Sequence, residues 1–320
     1  MPAMDMPLPE LKNYIGISPL PGDFDMFWTK ALEILEEQAF DYDLYDAGFA
    51  APGVLCNYLY FTGVGGARIC CKFLRPENKK NLPGIIMFHG YSGDSGGWVD
   101  KLAYALSGYA VLAMDVRGQG GSSTDTLVTG GTTIRGHIIR GLSNYNPNDL
   151  FYRNVFLDTV HAARILMSMN CVNQHRIGAT GWSQGGGLAI ACAALEPRIK
   201  AIAPVYPFLC DYKRVWEMDL CRDAYDELAY FIRNFDPRHD NIDEMFETLG
   251  YIDVANLAAK VQAETYMLIT LMDSICPPST QFAAYNRIEA KKSCEIYPNH
   301  GHEGLPDAAE LIYEFFNKIL

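Results

Sequence analysis

From Pro83 onward the chain alternates short, nearly continuous apolar runs with stretches of helical periodicity. The runs are Gly84–Phe88, Ala110–Met114, Arg176–Thr180, Ala201–Pro204 and Thr265–Leu271. A strand with one face in water alternates apolar and polar residues; these runs do not, so each is expected to be covered on both faces. Buried strands interleaved with crossover helices predict an α/β fold with a mostly parallel central sheet flanked by helices. In such sheets ligand chemistry collects at the carboxyl ends of the strands, so the turns after these runs are where function is expected.

Two segments depart from that rhythm. Residues 1–80 read as an N-terminal extension, with a helical pattern running through Trp28, Leu32 and Leu35. A hairpin from Val54–Phe61 and Ala67–Leu74 follows, turning at Gly63-Val64-Gly65-Gly66. Residues 206–260 read as an aromatic, charged and mainly helical insertion between two strands, long enough to cover a site or to form a subunit contact. No internal repeat divides the chain, and residues 1–320 are expected to form a single domain.

The formal charge of −12 sets up a field that repels phosphate backbones and anionic headgroups. The densest basic clusters are the pairs Lys79-Lys80 and Lys291-Lys292, so neither nucleic acid nor a membrane is expected as a partner. No apolar run reaches the ~18 residues of a membrane span. The opening Met1-Pro2-Ala3-Met4-Asp5 lacks the basic and apolar regions of a signal peptide, which gives a cytoplasmic expectation. Nine scattered cysteines without a C-x-x-C predict reduced thiols. Gly63-Val64-Gly65-Gly66 fits neither dinucleotide nor phosphate-loop spacing, and no metal or other cofactor is expected.

The most specific motif is Gly181-Trp182-Ser183-Gln184-Gly185, which joins the run Arg176–Thr180 to a small-residue helix starting at Gly186-Gly187-Leu188. A serine on so sharp a strand-to-helix turn has strained backbone angles, and side chains two positions away on either side would collide. The turn also places Ser183 at a helix N-terminus, where the Gln184 peptide N–H can face a developing oxyanion. A serine hydroxyl needs a histidine to take its proton and a carboxylate to orient that histidine. In α/β-hydrolases these follow in the order serine, acid, histidine.

Of the seven histidines, His239, His300 and His302 follow Ser183. His239 falls in the insertion and reads as a surface residue. His300 and His302 share the turn-rich loop Tyr297-Pro298-Asn299-His300-Gly301-His302-Glu303-Gly304, and their positions alone do not separate them. For the acid, Asp273 lies just past the carboxyl end of a strand, whereas its rival Asp253 lies in a helical context before that strand.

With these residues in view, the chain resembles the acetyl xylan esterase and cephalosporin C deacetylase family, carbohydrate esterase family 7. The resemblance rests on Arg117-Gly118-Gln119, Gly181-Trp182-Ser183-Gln184-Gly185 and His302-Glu303. It extends to Pro7-Leu8-Pro9-Glu10-Leu11, His89-Gly90-Tyr91, Pro207-Phe208-Leu209-Cys210 and Cys276-Pro277-Pro278-Ser279-Thr280. Asn299-His300-Gly301 departs from the family pattern in the loop before the second histidine.

The resemblance implies Ser183 as nucleophile, Asp273 as orienting acid and His302, rather than His300, as general base. It implies the peptide N–H groups of Tyr91 and Gln184 as oxyanion hole, with Arg117, Gln119 and Glu303 as supports. The implied reaction removes acetyl groups from acetylated xylo-oligosaccharides and other small acetyl esters, including cephalosporin C, through an acetyl-serine intermediate. The implied assembly is a homohexamer, a trimer of dimers. Because Arg117 and Glu303 carry opposite charges on loops after neighbouring sheet elements, they are expected to pair.

Two other readings are open to the same motif. A serine peptidase of prolyl oligopeptidase type needs an N-terminal propeller, and roughly 80 residues without repeats precede the first run. A non-catalytic binding protein on a hydrolase fold would be marked by a lost member of the serine, acid and histidine set, and none is lost.

Overall fold

The segment Leu82–Phe88 has no polar face to turn toward water, and it lies between two parallel neighbours with helices above and below. The structure, a computed structural model, describes residues 4–36, 40–130 and 136–320. Among these residues the strands are β1 (Tyr42–Asp46), β2 (Val54–Thr62), β3 (Arg68–Pro76), β4 (Leu82–Phe88), β5 (Ala110–Met114), β6 (Val172–Trp182), β7 (Ala201–Val205), β8 (Glu264–Thr270) and β9 (Lys292–Tyr297). They form one sheet in the order β1-β2-β3-β5-β4-β6-β7-β8-β9. From β5 to β9 every pairing is parallel, while β1, β2 and β3 add an antiparallel edge.

The five apolar runs each coincide with a strand of the parallel part. The two outermost strands, β1 and β9, carry no such run because they lie at the edges: β1 is exposed along its whole length, and β9 alternates half-buried and exposed residues.

The helices are α1 (Leu8–Leu11), α2 (Phe24–Glu36), α3 (Val99–Leu106), α4 (Phe151–Ser168), α5 (Gln184–Leu195), α6 (Tyr212–Glu217), α7 (Asp226–Phe235), α8 (Ile242–Gly250), α9 (Val254–Ala258), α10 (Pro278–Arg287) and α11 (Ala308–Ile319). One core, containing Trp28, Phe156 and Leu188, joins α2, α4 and α5 to the sheet; a second, containing Tyr104 and Phe316, joins α3 and α11 to it. Helix α5 is apolar all round and buried at every residue, as a helix must be when it is enclosed on all sides. Its small residues bring its first turn close to the ends of β4 and β7, which fixes where the β6–α5 turn sits. Helices α6 to α9 lie between β7 and β8, and α2 is tied to this region by the Trp28 indole N–H, which donates to the Tyr251 carbonyl at 3.0 Å.

Candidate active site

Ser183 sits between β6 and α5 with φ 57° and ψ −118°, a conformation that a side-chain-bearing residue adopts only when its surroundings hold it there. Three backbone hydrogen bonds do so. The Ser183 N–H donates to the Val205 carbonyl at 3.0 Å, and its own carbonyl accepts from Gly187 at 3.1 Å and Phe208 at 3.0 Å. Gln184 is the first residue of α5, so its N–H belongs to the helical turn whose donors have no partner within the helix.

Asp273 follows β8 and is fully buried. Its Oδ1 accepts from the N–H groups of Ile275 and Cys276, both at 2.8 Å, and its Oδ2 accepts from Thr270 Oγ1 at 3.4 Å. That same Oδ2 lies 2.9 Å from His302 Nδ1. A carboxylate only accepts, so it selects the tautomer with the proton on Nδ1 and leaves Nε2 free to take another. His302 stands on the loop between β9 and α11, its ring 4.6 Å from that of Tyr206.

The structure therefore brings His302, not His300, against Asp273. His300 serves its loop through the backbone, its carbonyl accepting from Met272 N–H at 3.0 Å, while its ring packs on Tyr297. His239 is exposed beside Trp216. Asp253 caps α9 and accepts from the N–H groups of Ala255, Asp211 and Tyr212, so its carboxylate organises the backbone below the site.

Gln119 makes a connection that the sequence did not reveal. Its Oε1 accepts from Ser92 N–H at 3.0 Å, and its side-chain amide exchanges two hydrogen bonds with that of Gln184, at 2.8 and 3.0 Å. It thus ties the loop after β4, which carries Tyr91, to the residue that follows Ser183. Tyr152 adds a third anchor by donating to Gln184 Oε1 at 2.8 Å.

The expected pairing of Arg117 with Glu303 is not formed. Arg117 is buried and grips Asp158 of α4 through Nε and Nη2, at 2.6 and 2.7 Å, while Nη2 also donates to the Val64 carbonyl. Glu303 is exposed; its carboxylate accepts from Gly301 N–H at 3.0 Å, and its backbone carbonyl accepts from the Tyr206 hydroxyl. The physical reason is placement: α4 runs beneath the Arg117 loop and offers a buried carboxylate there, whereas Glu303 folds back on its own turn.

Cys276 is the neighbour that the sequence pattern left without a role. It is buried, hydrogen-bonded with the Ser183 side chain, and its thiol is pushed well above the usual range by burial and then by Asp273. Asp273, Cys276 and His302 present polar atoms within 4.8 Å of one another, a spacing a metal ion could use. The donor set does not fit one: both carboxylate oxygens are already taken by four donors, and the thiol is held in its protonated form. The arrangement suits proton transfer.

Residues 1–319 match the family described as acetyl xylan esterase (AXE1). Acetyl xylan esterase 1 from Thermoanaerobacterium sp. JW/SL YS485 is 47% identical, with a TM-score of 0.97 over 98% of this chain and 99% of that one. An acetyl xylan esterase from Paenibacillus sp. R4 is 35% identical, with a TM-score of 0.94 over 98% of this chain and 100% of that one. Acetyl esterase Axe7A of Xylanibacter ruminicola is 28% identical over 203 residues, 62% of this chain and 44% of that protein, so the similarity spans less than half of the relative's length. The chain belongs to the acetyl xylan esterase family of carboxylic ester hydrolases with the α/β-hydrolase fold.

Proposed function

We propose that this protein removes acetyl groups from acetylated xylo-oligosaccharides and other small acetyl esters, cephalosporin C among them, through an acetyl-serine intermediate. The observation that carries this reading is the 2.9 Å contact between His302 Nδ1 and Asp273 Oδ2, together with a serine on a strained strand-to-helix turn that is hydrogen-bonded with Cys276, whose thiol lies within 4.8 Å of both groups. The named activity of the two solved relatives that this chain resembles along nearly its whole length supports the substrate class.

In the proposed mechanism Ser183 Oγ attacks the acetyl carbonyl carbon as its proton passes to His302 Nε2. The Oγ–C bond forms while the carbonyl oxygen takes up the negative charge, held by the Tyr91 and Gln184 N–H groups; each such donor is worth about 10²–10³ in rate. The intermediate collapses, the bond to the sugar oxygen breaks, and His302 returns the proton to that oxygen. Water then repeats the sequence on the acetyl-enzyme, releasing acetate and restoring Ser183. Asp273 keeps Nε2 facing the reaction and stabilises the imidazolium. Arg117, Gln119 and Glu303 act as supports, each through the partner described above.

Assembly as a homohexamer, a trimer of dimers, is supported by the outer edge of β1, which pairs with no further strand among the described residues and carries the exposed Tyr42, Leu44 and Tyr45. A cytoplasmic location is supported by the free thiols of all nine cysteines, the form a reducing compartment maintains. No described helix is long and apolar enough to cross a membrane.

The test is acetate release from acetylated xylose, xylo-oligosaccharides of increasing length and cephalosporin C, using wild type, Ser183→Ala and Asp273→Asn. The reading requires release that disappears in Ser183→Ala and falls about 10⁴-fold in Asp273→Asn. Release that survives in Ser183→Ala refutes it.

A further inference from the structure

Glu227 is the second residue of α7, a helix on which Arg233 is exposed and Asp226 half-buried, yet it is 1% exposed. A buried carboxylate is costly unless it is fully hydrogen-bonded, and an apolar side chain would pack in its place without that cost. Its Oε1 accepts from the Tyr91 hydroxyl at 2.9 Å and its Oε2 from the Ile139 N–H at 3.0 Å. The chain before Ile139 closes around it: a Cβ on Gly136, where φ is +59°, would lie 2.0 Å from Oε2. The Tyr91 hydroxyl also accepts from His137 N–H at 3.2 Å, so its hydrogen-bonding capacity is filled from two sides.

Tyr91 is the residue whose peptide N–H is assigned above to the oxyanion hole. Its loop is held at one end by Gln119 through Ser92 N–H. The far end of its side chain is held by Glu227, and its ring packs on Phe208, 5.6 Å away, just beyond β7. Loss of the hydroxyl contact would free the ring to tilt between Phe208 and His137 and would carry the peptide with it. A shift of about 1 Å in a group that must meet the transition state costs on the order of 100-fold in rate, so a partial shift is measurable.

We propose that Glu227 is a positioning residue, which holds the Tyr91 peptide in register with Gln184 through the Tyr91 hydroxyl and so couples helix α7 to oxyanion stabilisation. This rests on the reading of Ser183 as nucleophile and of Tyr91 as oxyanion donor. Burial pushes the Glu227 carboxyl up to about 7, consistent with a group kept in place for its contacts and not for packing.

The variants Tyr91→Phe, Glu227→Gln and the double variant, with wild type and Ser183→Ala as controls, test the coupling on 4-nitrophenyl acetate. Tyr91→Phe removes the hydroxyl alone and leaves the Glu227 contact to Ile139 in place, so it probes the link without unfolding the 136–139 segment. The proposal requires kcat to fall about tenfold in Tyr91→Phe with KM within about twofold of wild type, since an oxyanion donor acts mainly in the transition state. It also requires the double variant to be no slower than the slower single variant, as for two residues acting through one contact. A Tyr91→Phe kcat within twofold of wild type, a loss confined to KM, or losses that multiply in the double variant overturns it. Wild-type hydrolysis that persists in Ser183→Ala overturns the functional reading itself, and the coupling with it.

Discussion

The guanidinium of Arg117 and the carboxylate of Asp158 meet in two nearly parallel hydrogen bonds, of 2.6 and 2.7 Å, in the interior between the Arg117 loop and α4. Both side chains are 1% exposed, and Val64 completes the cluster by donating its N–H to Asp158 and accepting from Arg117 through its carbonyl. Asp125 also faces Arg117, its Oδ1 3.7 Å from Nη1, but it does not replace the two short bonds, so removing one charge of the pair leaves the other buried without its main partner. Asp158→Asn or Arg117→Met is expected to lower the free energy of unfolding by about 3–5 kcal/mol. The double variant Arg117→Met/Asp158→Leu is expected to lose less than either single one, as measured by urea denaturation.

Gly181 and Gly185 flank Ser183, the proposed nucleophile, where the β6–α5 turn presses on β4. A Cβ on Gly185 would come within 2.1 Å of the Phe88 carbonyl oxygen, and one on Gly181 within 2.5 Å of the same atom. The obstruction is backbone and cannot rotate away, so the turn itself must move. Gly185→Ala is expected to lower kcat/KM for 4-nitrophenyl acetate at least about 100-fold, the usual cost of misplacing a catalytic group by an ångström. Kinetics on the folded fraction, isolated by gel filtration, check this.

The buried acid at 227 also sets a pH signature of stability. Burial raises its folded-state pKa from 4.5 to about 7, so between those values the folded protein holds a proton that the unfolded chain has released. Its contribution is present below about pH 4.5 and is lost as pH rises through 7. His137, beside Tyr91, works in the opposite sense: burial lowers it to about 4, so its contribution grows with pH up to its unfolded value of 6.5. Asp253, raised to about 6 by burial and then by Asp211, acts in the same direction as Glu227. Comparing Glu227→Gln with wild type cancels the other two. The stability difference, variant minus wild type, is expected to shift in the variant's favour from about pH 5 to about pH 8, by on the order of 2–3 kcal/mol. Unfolding curves across that range measure it.

The parallel part of the sheet could be read from the sequence because a strand buried on both faces has nowhere to put a polar residue. The edges β1 and β9 could not, since an edge strand carries a mixed pattern that a loop can share. Ser183 was legible because its turn demands small residues at fixed offsets, and Asp273 because a strand's carboxyl end is a definite place. The choice between His300 and His302 was not: two positions apart in a turn, either ring can point inward, and only the family resemblance favoured the second. Arg117 shows the limit most clearly. Its motif marks it as important, but its partner Asp158, the one acid of α4, lies 41 residues further along the chain, and nothing local says which face of that helix passes beneath the loop. Glu227 was hidden for the same reason, because an acid in the first turn of an amphipathic helix usually reads as a favourable charge near the helix N-terminus.

The central claim is that Ser183 is made nucleophilic by His302 and Asp273. Reaction with diethyl 4-nitrophenyl phosphate, which phosphorylates activated serine hydroxyls, followed by peptide mass spectrometry, tests it most directly. The account predicts one diethylphosphoryl group on the peptide that carries Ser183, loss of esterase activity in proportion to labelling, and no labelling in Ser183→Ala or His302→Ala. Labelling at another residue, or full activity in protein completely labelled at Ser183, would contradict it.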